Sequence, residues 1–318
     1  AGSFKYGHSL DIHKRDDTLS CKQAMAVSLS ETIGMGAYGG TLMTGGVINV
    51  FLPASDGSLY AFSERGSIFC RSGTEQIWNF VYNDENGKIT GAEEWEGTDG
   101  LDYIYWATAS SISRKAFPGS NSAPDSGTMR WTDVTNDYKV EFVSSAAAWH
   151  TMRAVAGALY IANAENLAQI DFNDGGGDWQ PSAISITPQN QITCIEEKDD
   201  YVVIGSERRE LSEEGYLWNW VETSLNYVQK KKYPIQGINS IIFTEYPLLQ
   251  GGDNGEIFLA DFANVVPLIS IPGKGRTNPY GVDIDNDLAV FGVYGSTCAY
   301  PGIWSYGRRN KNRPPCLN

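Results

Sequence analysis

One short pattern, two apolar strands around a tight turn, recurs along this chain from Val50 onward. The first copy runs from Val50 to Arg71 and reads VFLPASDGSLYAFSERGSIFCR, with apolar runs on both sides of Asp56-Gly57. Apolar residues on both faces of a strand are typical of strands that lie between other layers. We therefore expect this segment to form strands that are buried inside a stack of sheets.

Five weaker copies of the pattern follow, and the copies recur at intervals of 40 to 56 residues. One marker residue from each copy defines these intervals: Val50, Tyr103, Leu159, Val202, Leu248 and Leu288. A period of about 40–50 residues is typical of β-propeller blades with four strands each. The sequence therefore predicts an all-β fold, a propeller of about six four-stranded blades, with seven blades as the alternative.

The fourth and fifth copies indicate all four strands of a blade. The strands expected there are 192–196, 201–206, 216–221, 225–233, 238–243, 248–251, 256–262 and 265–271. Polarity increases from the first strand to the last, as expected if inner strands pack between blades and the outer strand contacts water.

The domain organisation follows from the repeat. Residues 1–30 lack it and are interpreted as an N-terminal extension, whereas residues 31–318 are predicted to form a single propeller domain. The last copy has three strands and then RRNKNRPPCLN, which is too rich in proline for a fourth. The segment Thr18 to Val27 is the candidate for that strand, and its pairing there would close the ring. Alternatively, Asn318 is not the native end and further blades follow it.

Charge and composition exclude some classes of function. The formal net charge of −14 repels phosphate backbones, so we expect no nucleic-acid partner. An acidic surface of this kind is solvated, or suits a cationic partner. No apolar run approaches the roughly 20 residues of a membrane helix, so no membrane insertion is expected. The start, AGSFKYGHSL, shows no uncut secretory signal.

The cysteines and histidines suggest neither a metal centre nor a catalytic centre. The five cysteines, which lack metal-ligand spacing, are Cys21, Cys70, Cys194, Cys298 and Cys316. Cys70 and Cys194 stand in apolar strands, which favours buried, reduced thiols and synthesis in a reducing cytosol. A disulfide is kept as an alternative only for Cys298 and Cys316, which are near each other in sequence. The histidines, His8, His13 and His150, are far apart in sequence, and His150 beside Trp149 favours a structural role. No catalytic, cofactor-binding or metal-binding residue is assigned, and no cofactor is expected.

Two acidic segments have the composition of calcium loops. In Asp84 to Glu93 the first ligand position would fall on Tyr82, so a hairpin turn at Asn86-Gly87 is the preferred interpretation. The better candidate is Asp171 to Asp178, where four oxygen-bearing side chains crowd a glycine-rich loop. Whether that loop binds calcium or is an ordinary acidic loop tip stays open. The same holds for Asp283, Asp285 and Asp287.

Aromatic and basic residues outside the repeat pattern have structural interpretations. We expect Trp95, Trp131, Trp149 and Trp179 to pack between blades, with stacking on sugars or on a partner protein as the alternative. Lys230, Lys231 and Lys232 stand on an outer strand, where charge protects the sheet edge from pairing with other chains.

Two segments resemble a known group of proteins. GSFKYGHSLDIHKRDDTLS near the start and PGIWSYGRRNKN near the end are similar to propeller-like virion components of tailed bacteriophages. The resemblance implies a non-enzymatic structural or attachment protein that is tail-associated and present in several copies. Its partners would be other virion proteins or a host-surface receptor, and its location the virion after synthesis in the host cytoplasm. DGSLYAF resembles one repeat of quinoprotein-type propellers, but a single unit does not imply a quinone cofactor.

Two alternatives to the phage interpretation stay open. One is a sugar-binding or carbohydrate-active propeller enzyme with acidic residues at the mouth of the central channel. The other is a bacterial scaffold protein located extracellularly or at the cell surface. The sequence identifies neither the host and receptor nor the face that makes contacts.

Overall fold

The computed structural model describes most of the chain between residues 48 and 270, and short strands on either side. The described ranges are 10–11, 20–21, 26–27, 36–38, 41–43, 48–71, 79–97, 99–116, 131, 134–143, 149–171, 178–199, 201–208, 214–222, 224–233, 235–243, 248–252, 256–260, 265–270, 277–283, 288–293 and 302–307. Strands and turns account for the regular structure in these ranges, which contain no helix long and apolar enough to cross a membrane.

The strands are numbered in chain order. They are β1 (Leu10–Asp11), β2 (Ser20–Cys21), β3 (Ala26–Val27), β4 (Gly36–Tyr38), β5 (Thr41–Met43), β6 (Ile48–Pro53), β7 (Leu59–Ser63), β8 (Ser67–Arg71), β9 (Asn79–Asn83), β10 (Gly91–Glu96), β11 (Asp102–Ala107), β12 (Ile112–Ala116), β13 (Thr135–Lys139), β14 (Met152–Val155), β15 (Ala158–Asn163), β16 (Asn166–Asp171), β17 (Asp178–Ser185), β18 (Asn190–Lys198), β19 (Tyr201–Arg208), β20 (Gly215–Trp220), β21 (Gln229–Tyr233), β22 (Ile238–Ile242), β23 (Leu248–Gly251), β24 (Glu256–Ala260), β25 (Val265–Ser270), β26 (Thr277–Asp283), β27 (Leu288–Val293) and β28 (Gly302–Gly307).

Five blades each consist of four consecutive antiparallel strands: blade 1 (β6–β9), blade 2 (β10–β13), blade 3 (β14–β17), blade 4 (β18–β21) and blade 5 (β22–β25). This confirms the predicted all-β propeller with four-stranded blades. The strands expected in the fourth and fifth copies correspond to β18 to β25, except that residues 225–228, expected in the outer strand 225–233, precede β21 and form a loop. The expected count of six such blades, or seven, requires correction to five. The sixth copy contributes only three consecutive strands, because its sheet takes its fourth strand from elsewhere in the chain.

That remaining four-stranded sheet combines β26, β27 and β28 with β3, which pairs with β28 through Val27 opposite Trp304 and Ala26 opposite Ser305. A strand from the segment 18–27 therefore lies beside the last copy, as predicted, but the segment is not one continuous strand. Ser20–Cys21 forms β2, which pairs with β1 instead.

Burial changes systematically across a blade. All residues of β15 and β16 are buried, whereas three of the five residues of the outer strand β13 are exposed. The expectation that the first copy is buried on both faces is wrong for β6, where Val50 and Phe51 are only half-buried. The innermost strand of a propeller blade has the central channel on one side, so it cannot be covered as completely as β7.

The inner strands of several blades share a bulge that directs a polar side chain to a backbone carbonyl. The register of β6, β18 and β22 shifts at Asn49, Thr193 and Asn239, respectively. Asn49 Nδ2 donates to the carbonyl of Ile89, in the connection that leads into β10, at 2.9 Å, and Thr193 Oγ1 donates to the carbonyl of Ile238 in β22. An extra residue in a strand reorients its side chain. The bulge at Thr193 therefore links β18 to the inner strand of blade 5, and the bulge at Asn49 links β6 to the connection that leads into blade 2.

Aromatic side chains fill the space between blades 1 and 2. Trp131 is buried among Tyr60, Tyr82 and Trp106, with ring centroids 5.8 to 6.4 Å apart. On the other side of blade 2, between blades 2 and 3, Trp95 is buried against Tyr105 at 5.6 Å and in the same core cluster as Leu159. Both tryptophans therefore serve the packing role that the sequence indicated, since each buries a large apolar surface.

Candidate functional site

A charged cluster joins the inner strands of three successive blades. Arg153 of β14 lies between Glu93 of β10 and Glu196 of β18, with Nη1 3.4 Å from Glu93 Oε1 and Nη2 2.8 Å from Glu196 Oε1. The Ala154 N–H also donates to Glu93 Oε1 at 3.4 Å. The side chains of Glu93 and Glu196 are 13% and 16% exposed, against 42% for Arg153. Two largely buried carboxylates therefore share one guanidinium that reaches solvent.

The environment changes the acidity of both carboxyl groups. Burial raises the pKa of Glu93 to about 7, although the positive charge of Arg153 opposes this effect. Burial also raises the pKa of Glu196, again against the effect of Arg153. A carboxyl group that titrates near neutral pH can exchange a proton under ordinary conditions. Sequence reasoning missed this cluster, because the three residues stand on separate repeats and acidic residues are common throughout the chain.

His150 occupies a buried position between blades 2 and 3. Its Nδ1 lies 2.8 Å from the carbonyl oxygen of Ala162, and its Nε2 lies 3.1 Å from that of Ala109. The Phe142 ring stacks on the imidazole with centroids 4.1 Å apart. Burial lowers the pKa of His150, although the two carbonyls oppose this effect. These contacts fit the structural role that the sequence favoured, whereas His8 and His13 lie outside the described residues.

Glu93 and His150 should change the stability of the folded protein in opposite directions as the pH falls. Glu93 has a higher pKa in the folded protein than its usual 4.5, so its protonation raises the free energy of unfolding as the pH falls from about 7 to about 4.5. His150 has a lower pKa than its usual 6.5, so the unfolded chain takes up that proton first and stability falls below about pH 6.5.

Replacement of Glu93 by glutamine removes the stability that protonation of Glu93 adds at low pH. The loss of stability caused by His150 should therefore be larger in this variant. Between pH 7.5 and pH 5, we expect Glu93→Gln to lose about 1–3 kcal/mol of unfolding free energy relative to the wild type. Urea denaturation at several pH values measures this difference. Glu197→Gln, which changes an exposed neighbour of Glu196, should follow the wild-type pH profile. Parallel profiles for the wild type and Glu93→Gln would contradict the assignment.

The segment Asp84 to Glu93 is a turn between blades and not a calcium loop. Asn86-Gly87 does form the predicted turn, with the Gly87 N–H donating to the Asp84 carbonyl at 3.1 Å and φ of +89° at Gly87. However, this turn connects β9 to β10 across two blades, so the expected hairpin is wrong. Asp84 is buried and accepts a hydrogen bond from Trp106 Nε1 at 2.6 Å. Glu93 belongs to β10.

The other cation candidates are only partly described. Asp171 is buried at the end of β16, while residues 172–177 of the candidate loop lie outside the described ranges. Asp283 ends β26, and Asp285 and Asp287 also lie outside them. Where side chains are described, no group of three or more His, Cys, Asp or Glu residues has an arrangement suited to a metal ion.

Cys70 and Cys194 are buried thiols that form no disulfide within the described ranges, as the sequence predicted. Burial raises the pKa of Cys194 to about 12, so this thiol stays protonated and unreactive at neutral pH. The side chain of Cys21 and all of Cys298 and Cys316 fall outside the described part of the chain.

The remaining tryptophans and the lysine run make contacts near the surface. Trp149 is half-buried with Lys88 Nζ 4.3 Å from its ring centroid, and Trp179 Nε1 donates to the Glu141 carbonyl at 3.0 Å. On the outer strand β21, Lys230 lies 4.2 Å from the centroid of Trp218, while Lys232 pairs with Glu214. The positions of these lysines on an outer strand agree with the predicted edge protection.

The loop between β20 and β21 presents apolar side chains to solvent. Leu225 is 97% exposed, Val228 59% and Tyr227 36%, and we call these three residues the 225–228 patch. The loop is held in place, because Trp220 Nε1 donates to the Ser224 carbonyl at 2.8 Å. The Val228 N–H donates to the Asn219 carbonyl at 2.6 Å, and the Tyr227 ring packs edge-on against Trp218 at 4.7 Å. No sequence signal distinguished this loop.

The fold and these surfaces define a β-propeller protein with four-stranded blades. No family model matches the chain, and no curated protein matches it in sequence. Among solved structures, the chain is similar to the WD40 repeats of RRP9, with 12% identity, a TM-score of 0.55 and coverage of 82% of this chain and 80% of that one. It is similar to U3-55K, with 10% identity, a TM-score of 0.55 and coverage of 84% and 85%, respectively. At these identities the likeness concerns the fold alone.

Proposed function

We propose that this chain is a non-enzymatic structural or attachment component of a bacteriophage particle, in which the propeller acts as an interaction module. The single observation that carries the interaction role is the 225–228 patch. Leu225 is almost fully exposed on a loop that two tryptophans hold in place. The phage assignment is supported by the resemblance of the two terminal segments to virion components.

The energetics of the patch favour a protein partner. Burial of a fully exposed leucine side chain contributes about 1.5–3 kcal/mol. A loop that is already ordered loses little conformational entropy on binding, so more of this free energy remains as affinity. Large apolar side chains that enter a partner's pocket commonly dominate the binding energy of an interface. We therefore propose that Leu225 inserts into an apolar pocket of another virion protein.

The proposed particle component would contain a closed ring of sheets. The sheet of β26 to β28 and β3 would close it beside the five blades, since β26 contacts both β22 of blade 5 and β6 of blade 1. A propeller leaves only the short edges of its outer strands, and charged residues such as those of β21 protect them, which suits a protein packed at high local concentration in an assembly.

Substitution of Leu225 by aspartate should reduce assembly at least tenfold. A charge placed in an apolar pocket is strongly unfavourable, whereas the exposed loop tolerates it without unfolding. We expect mass spectrometry of purified particles to find the wild-type chain in a fixed, multi-copy ratio to the major capsid protein, and Leu225→Asp strongly depleted. Leu101→Asp, at another exposed leucine, is the matched control and should assemble normally.

Two outcomes would count against the proposal separately. Recovery of the protein only as a free monomer, absent from particles, would contradict the virion role. Assembly of Leu225→Asp at the wild-type level would leave the virion role intact but exclude the patch as the contact.

A sugar-binding or carbohydrate-active propeller is the second candidate, because Glu93 and Glu196 lie together on inner strands and Glu93 has a pKa of about 7. An acid of that strength suits proton donation to a glycosidic oxygen. Hydrolysis of a glycan panel by the wild type, abolished in Glu93→Gln, would favour this function over the first.

A further inference from the structure

A second exposed apolar surface follows the outer strand of blade 2. Val140 is 55% exposed and Val143 is 57% exposed, and Glu141, which stands between them, is also exposed. We call residues 140–143 the 140–143 surface. It comes directly after β13, just as the 225–228 patch comes directly before β21, so both surfaces lie at the outer strands of their blades.

Contacts beneath the 140–143 surface hold its backbone in place. The Phe142 ring stacks on the buried His150 with centroids 4.1 Å apart, and it packs edge-on against Trp179 at 5.8 Å. The Trp179 Nε1 also donates to the Glu141 carbonyl at 3.0 Å. A segment that is already ordered loses little conformational entropy when a partner binds to it. This surface therefore has the same advantage in binding as the ordered loop of blade 4.

The two surfaces carry opposite charges. Lys230 is exposed and lies beside the 225–228 patch, since its Nζ is 4.2 Å from the centroid of Trp218, the ring on which Tyr227 also packs. Within the described residues, neither Lys230 nor Glu141 forms an ion pair. The formal charges of the other described side chains near the two surfaces cancel in pairs: Lys232 with Glu214, Lys231 with Glu222, and Lys139 with Asp137.

The two surfaces lie on opposite faces of the propeller. The 225–228 patch connects the third strand of blade 4 to the fourth, whereas the 140–143 surface follows the fourth strand of blade 2. Successive strands of a blade are antiparallel, so segments that follow odd-numbered strands lie on one face and segments that follow even-numbered strands lie on the other. The two surfaces of one molecule therefore cannot contact each other, but those of two molecules can.

We propose that the 225–228 patch of one copy of this chain binds the 140–143 surface of a second copy. This inference rests on the interaction role proposed above and names its partner. The apolar side chains of the two surfaces would cover each other, while Lys230 would pair with Glu141. Because the contact joins two different surfaces, it is heterologous and links copies head to tail into a closed ring or an open stack.

The net charge of −14 explains why such a contact needs this pair of surfaces. Copies of an acidic chain repel each other over most of their surface, and like charges that face each other oppose association. Contact becomes favourable where a basic, apolar surface meets an acidic, apolar one. The 225–228 patch and the 140–143 surface form such a pair within the described residues, so a second copy complements the patch in both charge and polarity.

Analytical ultracentrifugation of the purified full chain, from micromolar to millimolar concentration, tests the proposal. We expect the wild type to form oligomers as its concentration rises. Leu225→Asp and Val140→Asp should each associate at least tenfold more weakly, because each places a charge in an apolar contact. Leu101→Asp is the matched control and should associate as the wild type does, since Leu101 belongs to neither surface.

A mixture of the two weakened variants tests the head-to-tail arrangement. Leu225→Asp keeps an intact 140–143 surface, and Val140→Asp keeps an intact 225–228 patch. An equimolar mixture should therefore form heterodimers that do not grow further, because only the altered surfaces remain free. Lys230→Glu and Glu141→Lys should each weaken association, and the double variant should recover it, since opposite charges then face each other again.

Three results would overturn the proposal. A wild type that stays monomeric at every concentration would exclude self-association. If Leu225→Asp were nevertheless depleted from particles, the proposed function would stand and another virion protein would cover the patch. Absence of heterodimers from the mixture would show that the two surfaces do not bind each other, and no recovery in the double variant would exclude the ion pair. All substituted side chains are exposed, so unchanged circular dichroism spectra should verify folding.

Discussion

Replacement of Gly91 by alanine is expected to lower the free energy of unfolding by more than about 3 kcal/mol. Gly91 begins β10, and a Cβ atom there would lie 1.8 Å from the backbone oxygen of His150 and 2.8 Å from its carbonyl carbon. These atoms belong to the backbone of the neighbouring blade, so a side-chain rotation cannot relieve the overlap. The inner strands of blades 2 and 3 would have to separate. Urea denaturation followed by tryptophan fluorescence measures the loss.

Gly57→Ala provides the matched control for this substitution. Gly57 has a φ of +83°, but no atom beyond its chain neighbours would lie within 4 Å of a Cβ at this position. Alanine there costs only the backbone strain of a left-handed conformation, about 1–2 kcal/mol. If both variants lose the same stability, the close approach of the two blades at Gly91 is not a requirement of the fold.

Replacement of Asp84 by alanine should cost about 2–4 kcal/mol of unfolding free energy. The carboxylate accepts hydrogen bonds from Trp106 Nε1 at 2.6 Å and from Ser113 Oγ at 3.4 Å, and both donors are buried in blade 2. Its other oxygen accepts from the Asn86 N–H at 2.9 Å. Because each buried donor left without an acceptor costs about 1–3 kcal/mol, the connection between blades 1 and 2 should weaken markedly.

Asp84→Asn separates the hydrogen bonds from the simple loss of side-chain volume. Its amide oxygen can still accept from Trp106, so we expect it to retain more than half of the stability that alanine loses. Thermal unfolding with and without calcium adds a second test, since a structural carboxylate predicts the same loss in both. A loss that appears only with calcium would support the calcium-loop interpretation that the structure argues against.

The strands were predictable from sequence because their signal is local. Runs such as Tyr201 to Ser206 are apolar on both faces, and this pattern depends on neighbouring residues alone. The turn at Asn86-Gly87 was predictable for the same reason, since glycine readily adopts a positive φ. The strands that this turn connects were not predictable, because the local residues are the same for a hairpin and for a crossing between blades.

The candidate sites depended on distances that sequence patterns do not contain. Glu93 and Arg153 are 60 residues apart, and Arg153 and Glu196 are 43 apart, yet each pair is in contact. Acidic residues occur throughout the chain, so nothing local distinguishes these carboxylates from those that are solvated. The 225–228 patch was hidden for a related reason: Leu225 resembles a residue of the predicted outer strand until the loop places it in water.

A propeller of repeated four-stranded sheets could be predicted from the residues alone, because hydrophobic periodicity and turn residues specify strands and their succession. The folded chain was needed to show that only Ala26–Val27 of the segment 18–27 pairs with the last sheet, and which charged groups meet across blades. Those outcomes depend on how neighbouring sheets pack around a common axis. Packing of that kind joins residues one repeat apart or more, through contacts that no local pattern records.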